Sequence, residues 1–168
     1  SSRGPPPART SATSLPAAPC TANTSLPSTW VAAMFIASAR AVVVTGTHLS
    51  NSRTEAAVLK ALTLARKHGL RTALDIDYRP NLWGVAGHGD GESRFVESVR
   101  VTAKLQTTLH LFDLIVGTEE EFHIAGGSTD TLEALGAVRA VSAATLVCQR
   151  GPLGASAFES TIPQSLDD

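Results

Sequence analysis

The stretch LDIDYRPNLWG, residues 74–84, decides the fold, because it joins a short apolar strand to a polar loop. Residues 72–76 are predicted to form a buried strand, and strand alternation places Asp75 and Asp77 on one face. Asp77 and Arg79 then lie at the strand end, where an arginine is able to fork onto a hydroxyl or carboxylate of a ligand. An internal Asp–Arg pair that fixes the loop accounts for the same pattern equally well.

Strands and helices alternate on both sides of this stretch. The predicted strands are short apolar runs: residues 41–45, 72–76, 112–116 and 145–149, with an antiparallel return strand at 155–158. The predicted helices have apolar residues at helical spacing: residues 52–68, 94–111 (weakly), 119–124 and 129–141, with a loop at 78–91. This alternation predicts an α/β fold, with right-handed crossovers and a mostly parallel sheet flanked by helices that cover both faces.

The first long helix carries clear end signals. Ser52 is its predicted N-cap, and Glu55 three residues later completes a capping box. Gly69 directly follows the basic last turn and is predicted to close the helix.

Polar residues and glycines follow the later strands, at the edge where parallel sheets bind ligands. Thr118 precedes three consecutive acids, Glu119 to Glu121, which are able to hold a hydrated magnesium ion. Carboxylates in a first helical turn also act as caps, and spacing alone favours this simpler role. Gly151 and Gly154 join two strands, either as a tight hairpin turn or as a place where backbone approaches a nucleotide phosphate.

Composition excludes several classes of function. The 168 residues are 43% hydrophobic and 17% charged with a net charge of -1, and no basic run suggests a nucleic-acid partner. No apolar run is long enough for a membrane span, so the cytosol is the expected compartment. Cys20 and Cys148 are expected to be free thiols, and the five histidines show no ligand spacing. Residues 1–29, rich in Pro, Ser and Ala, are predicted to be a disordered leader before a domain at 30–168.

Four segments together resemble the ribokinase-like (PfkB) carbohydrate kinases, across roughly residues 41–168. These are VVVTGTHLS (42–50), LDIDYRPNLWG (74–84), DLIVGTEEEF (113–122) and LVCQRGPLGASAF (146–158), in the family's order. The second segment is the most specific and is similar to the kinases of keto-deoxy sugar acids. The resemblance implies a partial ribokinase-like fold and ATP-dependent phosphorylation of such an acid, 5-dehydro-2-deoxygluconate of inositol catabolism, with ATP and Mg²⁺ as cofactors.

The resemblance also implies roles for particular residues. Arg79, with Asp77 beside it, matches the arginine that contacts the acid or keto end of the sugar. Glu121 matches the glutamate that organises the magnesium and phosphate waters, and Thr118 stands where the family commonly has asparagine. Gly151 and Gly154 match the turn beside the nucleotide, while Gln149 stands where a lysine is frequent.

Two motifs of the family do not occur in these 168 residues. One is the Gly-Gly sugar-binding motif of the N-terminal half, which also bears a small lid. The other is Gly-Ala-Gly-Asp, whose aspartate is the catalytic base and whose glycine amides form an anion hole. We therefore expect the central part of a kinase domain, with a catalytically inactive fragment or pseudoenzyme as one alternative. A kinase of 2-keto-3-deoxygluconate or fructose is another alternative, and a homo-oligomer is left open for the full-length form.

Overall fold

The computed structural model describes residues 28–85 and 98–166, and their side chains from residue 32 onward. Five strands form one sheet: Ala41–Thr45 (β1), Arg71–Asp75 (β2), Leu114–Thr118 (β3), Thr145–Gln149 (β4) and Ala155–Phe158 (β5). Five helices accompany them: Ser28–Ala37 (α1), Ser52–Lys67 (α2), Val99–Gln106 (α3), Glu119–Gly126 (α4) and Thr131–Val141 (α5). Three 3₁₀ turns lie at Gly46–Leu49, Leu109–Leu111 and Gly151–Leu153.

The strands lie in the sheet in the same order as in the chain. β1 to β4 are mutually parallel, and β5 returns antiparallel to β4. The predicted mostly parallel sheet and the predicted return strand are therefore confirmed. Helix α2 connects β1 to β2, α3 lies between β2 and β3, and the pair α4 and α5 connects β3 to β4.

One face of the sheet forms the core. Val44, Leu74, Ile115 and Leu146 are register partners across the first four strands, and each is buried. On the opposite face Val43 is 70% exposed, and its neighbours in the sheet are only partly buried: Ala73, Leu114, Val116 and Val147.

The expectation that helices cover both faces is wrong for the part of the chain that the structure describes. Strands that follow one another in sequential order, each reached by a right-handed crossover, bring every connecting helix to the same side. Coverage of the second face requires the strand order to reverse, and no reversal occurs between β1 and β4.

The N-cap of α2 is Asn51 and not Ser52 as predicted. Asn51 has an extended backbone, and its side-chain oxygen accepts a hydrogen bond from the Arg53 backbone N–H at 2.9 Å. Ser52 is already the first helical residue. The carboxylate of Glu55 forms an ion pair with Lys104 of α3 instead of closing a capping box.

Two strands are displaced from their predicted positions. β2 begins one residue early, at Arg71, and β3 begins at Leu114 instead of residue 112. The displacement of β3 follows from the 3₁₀ turn at Leu109–Leu111, which ends at a buried Phe112. Asp113 then binds back to β2, where its carboxylate accepts from the Thr72 backbone N–H at 2.8 Å.

The helices differ from prediction mainly at their ends. The weak helix predicted at 94–111 is helical at Val99–Gln106, α4 extends to Gly126, and α5 begins at Thr131 behind an Asp130 cap. Helix α1 was not predicted, and its first two residues fall within the predicted leader. The remainder of that leader with Cys20, and the loop and helix positions at 86–97, lie outside the described residues.

Cys148 is buried and unpaired, as predicted for a free thiol. None of the helices within residues 28–85 and 98–166 has the length and apolarity needed to cross a membrane.

Candidate functional site

The carboxyl ends of β1, β2 and β3 are packed closely around Ile76. A Cβ atom placed on Gly46 would lie 2.1 Å from the backbone oxygen of Ile76, and one on Gly117 would lie 2.7 Å from its side chain. Both glycines therefore allow an approach that a larger residue would prevent. This contact brings the polar residues after the three strands to one edge of the sheet.

Asp77 and Arg79 form the internal ion pair that the sequence left as one of two interpretations. Arg79 Nε donates to Asp77 Oδ1 at 2.8 Å. Asp77 adopts a φ of 35°, a left-handed conformation that aspartate tolerates better than most residues. The Arg79 side chain is 58% exposed, and its two terminal nitrogens have no hydrogen-bond partner among the described residues. The pair therefore fixes the guanidinium and leaves its outer side open.

The Asp77 carboxylate also accepts a hydrogen bond from the turn that follows β1. Thr47, in the turn after β1, donates from its hydroxyl to Asp77 Oδ2 at 3.3 Å. The Thr47 hydroxyl also lies 2.8 Å from that of Thr45, which lies 3.0 Å from His48 Nδ1. The place of Thr47 directly after the first strand indicates a ligand-edge residue from sequence alone, although no specific role was predicted for it.

Glu121 joins the ends of β2 and β3. Its Oε2 accepts from the Thr118 backbone N–H at 2.9 Å, and its Oε1 accepts from the Tyr78 backbone N–H at 3.1 Å. The Thr118 hydroxyl in return accepts from the Glu121 backbone N–H at 3.3 Å, which completes a capping box. The cap that spacing favoured is therefore confirmed, and its link to Tyr78 was not predicted.

A carboxylate offers about four lone-pair sites, of which Glu121 uses two. The remaining two are available to water, so this residue fits an indirect role beside a hydrated cation. No cluster of three His, Cys, Asp or Glu side chains suited to a metal occurs within the described ranges.

The turn between β4 and β5 is the tight hairpin that the sequence offered as one interpretation. Gly151 and Gly154 have φ values of 56° and 89°, which favour glycine at both positions. The Arg150 backbone N–H donates to the Gly154 carbonyl at 2.8 Å and closes the turn. No atom lies within 4 Å of a Cβ placed on either glycine, so their backbone faces open space.

Arg150 connects this hairpin to the start of α4. Its side chain is 13% exposed, and its Nε donates to Glu119 Oε1 at 3.4 Å. Its Nη1 also donates to the Leu166 carbonyl at 3.1 Å. Gln149, the neighbouring position, is exposed and lies in register with Thr118 of β3.

The predicted site residues thus share the carboxyl edge of the sheet. Hydrogen bonds connect Thr47 to Asp77 and Glu121 to the backbone of Tyr78, and register connects Thr118 to β4. Burial raises the pKa of Tyr78 above its ordinary value of 10.0. The carboxyl edge of the sheet therefore combines three features. These are the exposed guanidinium of Arg79, the Glu121 carboxylate that accepts from two backbone amides, and the exposed turn that contains Gly151 and Gly154.

Comparison with known proteins identifies relatives over most of the chain. A 5-dehydro-2-deoxygluconokinase of Bacillus velezensis is 32% identical over 130 residues, which are 74% of this chain and 34% of that protein. The Bacillus subtilis protein of the same name is 28% identical, over 76% of this chain and 36% of its own. No family model matches the sequence.

Solved structures share the fold at low sequence identity. The PfkB protein of Polaromonas sp. JS666 has a TM-score of 0.59 at 21% identity, over 74% of this chain and 39% of that one. A fructokinase of Vibrio cholerae O395, solved with fructose, ADP and calcium, has a TM-score of 0.57 at 19% identity, over 74% and 36%.

The order of the strands, the residues at their carboxyl edge and these relatives define the class: the chain belongs to the ribokinase-like (PfkB) family of carbohydrate kinases. The curated relatives named above are 5-dehydro-2-deoxygluconokinases. The chain spans about a third of the length of these relatives.

Proposed function

We propose that the protein to which these residues belong transfers a phosphoryl group from ATP to a keto-deoxy sugar acid, 5-dehydro-2-deoxygluconate. The similarity to kinases of that name supports the substrate. The observation that carries the proposal is the guanidinium of Arg79, which Asp77 holds through Nε while the terminal nitrogens stay open.

This geometry favours an acid over a neutral sugar. The planar guanidinium presents its two terminal nitrogens as a fork that matches the two oxygens of a carboxylate. Because Asp77 engages only Nε, the fork is oriented before substrate arrives and needs no reorganisation. A neutral sugar such as fructose would gain only ordinary hydrogen bonds at the same position.

Glu121 and the glycine turn supply the complementary half of the site. Glu121 is held by two backbone amides, so its remaining lone pairs can orient water around a magnesium ion near Thr118. Magnesium, when bound, neutralises charge on the phosphates of ATP. Gly151 and Gly154 leave backbone exposed for the nucleotide.

The base that removes the hydroxyl proton of the sugar is not among these 168 residues, which contain no Gly-Ala-Gly-Asp motif. The role that we propose for the residues described here is to bind and orient the two substrates. The alternative of a pseudoenzyme would have the same site residues as the proposed kinase. It would differ from the kinase only in the absence of turnover.

The test uses a chimera in which these residues replace the matching 130-residue segment of the Bacillus velezensis relative. KM and kcat are measured for 5-dehydro-2-deoxygluconate, 2-keto-3-deoxygluconate and fructose. Arg79→Ala should raise KM for the two acids by about tenfold or more, which corresponds to one charge-assisted hydrogen bond. It should raise KM for fructose by a smaller factor, because only ordinary hydrogen bonds are lost there. Arg53→Ala, an exposed arginine on α2, is the matched control. A chimera that prefers fructose, or an Arg79→Ala loss equal for all three sugars, would remove the proposed role of Arg79.

A further inference from the structure

An ion pair joins the turn between β4 and β5 to the start of α4. Arg150 directly precedes the glycine turn, and Glu119 is the first residue of α4, next to Thr118. Arg150 Nε donates to Glu119 Oε1 at 3.4 Å, and the two side chains are 13% and 32% exposed. The pair therefore lies between the two halves of the proposed nucleotide site, which are the glycine turn and the metal-side residues Thr118 and Glu121.

Neither element needs this ion pair for its own geometry. The start of α4 is closed by the capping box of Thr118 and Glu121, and the hairpin is closed by the bond from the Arg150 N–H to the Gly154 carbonyl. The guanidinium also donates through Nη1 to the Leu166 carbonyl. Removing most of an arginine from water costs free energy, which an ion pair of this length returns only in part. The charge of Arg150 is therefore expected to act beyond the two elements that it joins.

Charge is the property that this pair controls at the carboxyl edge of the sheet. Glu119, Glu120 and Glu121 follow β3 consecutively, and the triphosphate of ATP would bring further negative charge to the same edge. Glu120 is exposed, where water and salt screen it, and two backbone amides compensate Glu121. Glu119 is half-buried, so its charge is screened less and depends on Arg150 for compensation.

The two charges act on their surroundings with opposite sign. After the larger effect of burial, Glu119 raises the pKa of the Cys148 thiol and Arg150 lowers it. Cys148 lies in β4, in register with Gly117 of β3. The effects of both charges therefore extend across the ends of these two strands, where the phosphates are proposed to bind.

We propose that Arg150 is a positioning residue for ATP that acts through Glu119, by cancelling a carboxylate charge that would otherwise repel the triphosphate. This role rests on the proposed function, because it requires ATP at this edge of the sheet. Charge cancellation and a purely structural ion pair differ in their consequences. If the pair only held the two elements together, loss of either partner would weaken ATP binding. If it balances charge, loss of Glu119 strengthens binding, because the released guanidinium attracts the phosphates.

The test titrates MgATP into the ¹⁵N-labelled 168-residue chain at constant Mg²⁺ and follows the backbone amide resonances of Gly151 and Gly154 by NMR. Arg150→Met should raise the dissociation constant about tenfold, and Glu119→Gln should lower it about threefold. The double variant should bind as the parent chain does. In about 1 M salt, where the screening length is about 3 Å, these differences should nearly vanish.

Lys67→Met is the matched control, because Lys67 is an exposed cation in the last turn of α2, at the opposite edge of the sheet. This variant should leave the dissociation constant of MgATP unchanged. In the chimera described above, the KM for ATP should follow the same order as the dissociation constants, while the KM for the sugar acid stays unchanged.

This role of Arg150 is overturned if the glycine resonances do not move with MgATP, if Glu119→Gln weakens binding, or if Lys67→Met has the same effect as Arg150→Met. Should Arg150→Met not fold, the sign of the Glu119→Gln effect decides between the two roles. The proposed function is judged separately, by product formation in the chimera. A chimera that phosphorylates the acid, while Arg150→Met leaves ATP binding unchanged, would refute the role of Arg150 alone.

Discussion

Asp77 shows how a single residue organises the candidate site. Its left-handed backbone conformation costs on the order of 1–3 kcal/mol and persists only where its surroundings enforce it. Here the enforcing contacts are the Arg79 guanidinium on one carboxylate oxygen and the Thr47 hydroxyl on the other. The strain therefore lies directly after the carboxyl end of β2, among the residues of the candidate site.

At the same scale, Cys148 should resist alkylation. Burial raises the pKa of this thiol from 9.0 to about 11, with a further rise from the charge of Glu119 and an opposing effect of Arg150. At pH 9 only about one folded thiol in a hundred is ionised, against about half in the unfolded chain. In a Cys20→Ser variant, iodoacetamide should react slowly until urea unfolds the protein.

The same shift sets a pH dependence of stability. Because the folded pKa of Cys148 lies above the unfolded value, the folded state holds its proton more tightly. The contribution of Cys148 to the free energy of unfolding is fully present below pH 9 and is lost as pH rises through about 11. Rapid alkylation of the native Cys20→Ser protein at pH 9 would show that the thiol is not buried as described.

Among the elements, the contact of β1 with the end of β2 is the most sensitive to substitution. Gly46→Ala would place a Cβ 2.1 Å from a backbone oxygen that cannot rotate away. We expect a loss of at least about 1–3 kcal/mol, the usual cost of overpacking, in urea unfolding. Gly136→Ala in α5 is the control: its Cβ meets no atom within 4 Å, so it should gain about 0.5–1 kcal/mol in helix stability. Equal effects of the two substitutions would contradict the close strand contact.

The elements themselves were largely readable from sequence, because β-branched runs and glycine stops are local signals. The errors lie at ends where two residues carry equivalent signals. Asn51 and Ser52 are both good N-caps, and only the extended backbone of Asn51 decides between them. The 3₁₀ turn before β3 likewise depends on the burial of Phe112, which a local pattern does not contain.

The site was predictable in its residues and not in its connections. Sequence placed Asp77, Arg79 and Glu121 after strands, which is a local property. The bond from Glu121 to the Tyr78 backbone and that from Thr47 to Asp77 join residues 43 and 30 positions apart. Such contacts depend on register between strands, which is set by packing of the whole sheet.

For the molecule as a whole, the open face of the sheet governs behaviour in solution. Val43 is 70% exposed on β1, one of the two edge strands of the described sheet, and partly buried apolar residues of β2 to β4 lie on the same face. Exposed apolar surface beside a strand edge promotes association. We expect the 168-residue chain to self-associate in sedimentation velocity, and Val43→Lys to reduce this without loss of stability.

Val44→Lys is the matched comparison, since the neighbouring valine is 4% exposed and faces the core. Burying an unpaired ammonium there should unfold the chain. A chain that stays monomeric and unfolds cooperatively with a midpoint above about 60 °C, high for mesophile domains, would contradict the expected association.

Catalysis is the property of the whole molecule on which the proposed function depends most. Groups that act only in the transition state govern turnover, whereas the roles proposed for Arg79 and Glu121 are to bind and orient. The most direct measurement compares ATP-dependent phosphorylation of 5-dehydro-2-deoxygluconate by the 168-residue chain and by the Bacillus velezensis chimera. The chimera should form product and the 168-residue chain should form none. Turnover by the 168-residue chain at about 1–100 per second, a rate typical of kinases, would contradict this division of roles, as would a folded, ATP-binding chimera that forms no product.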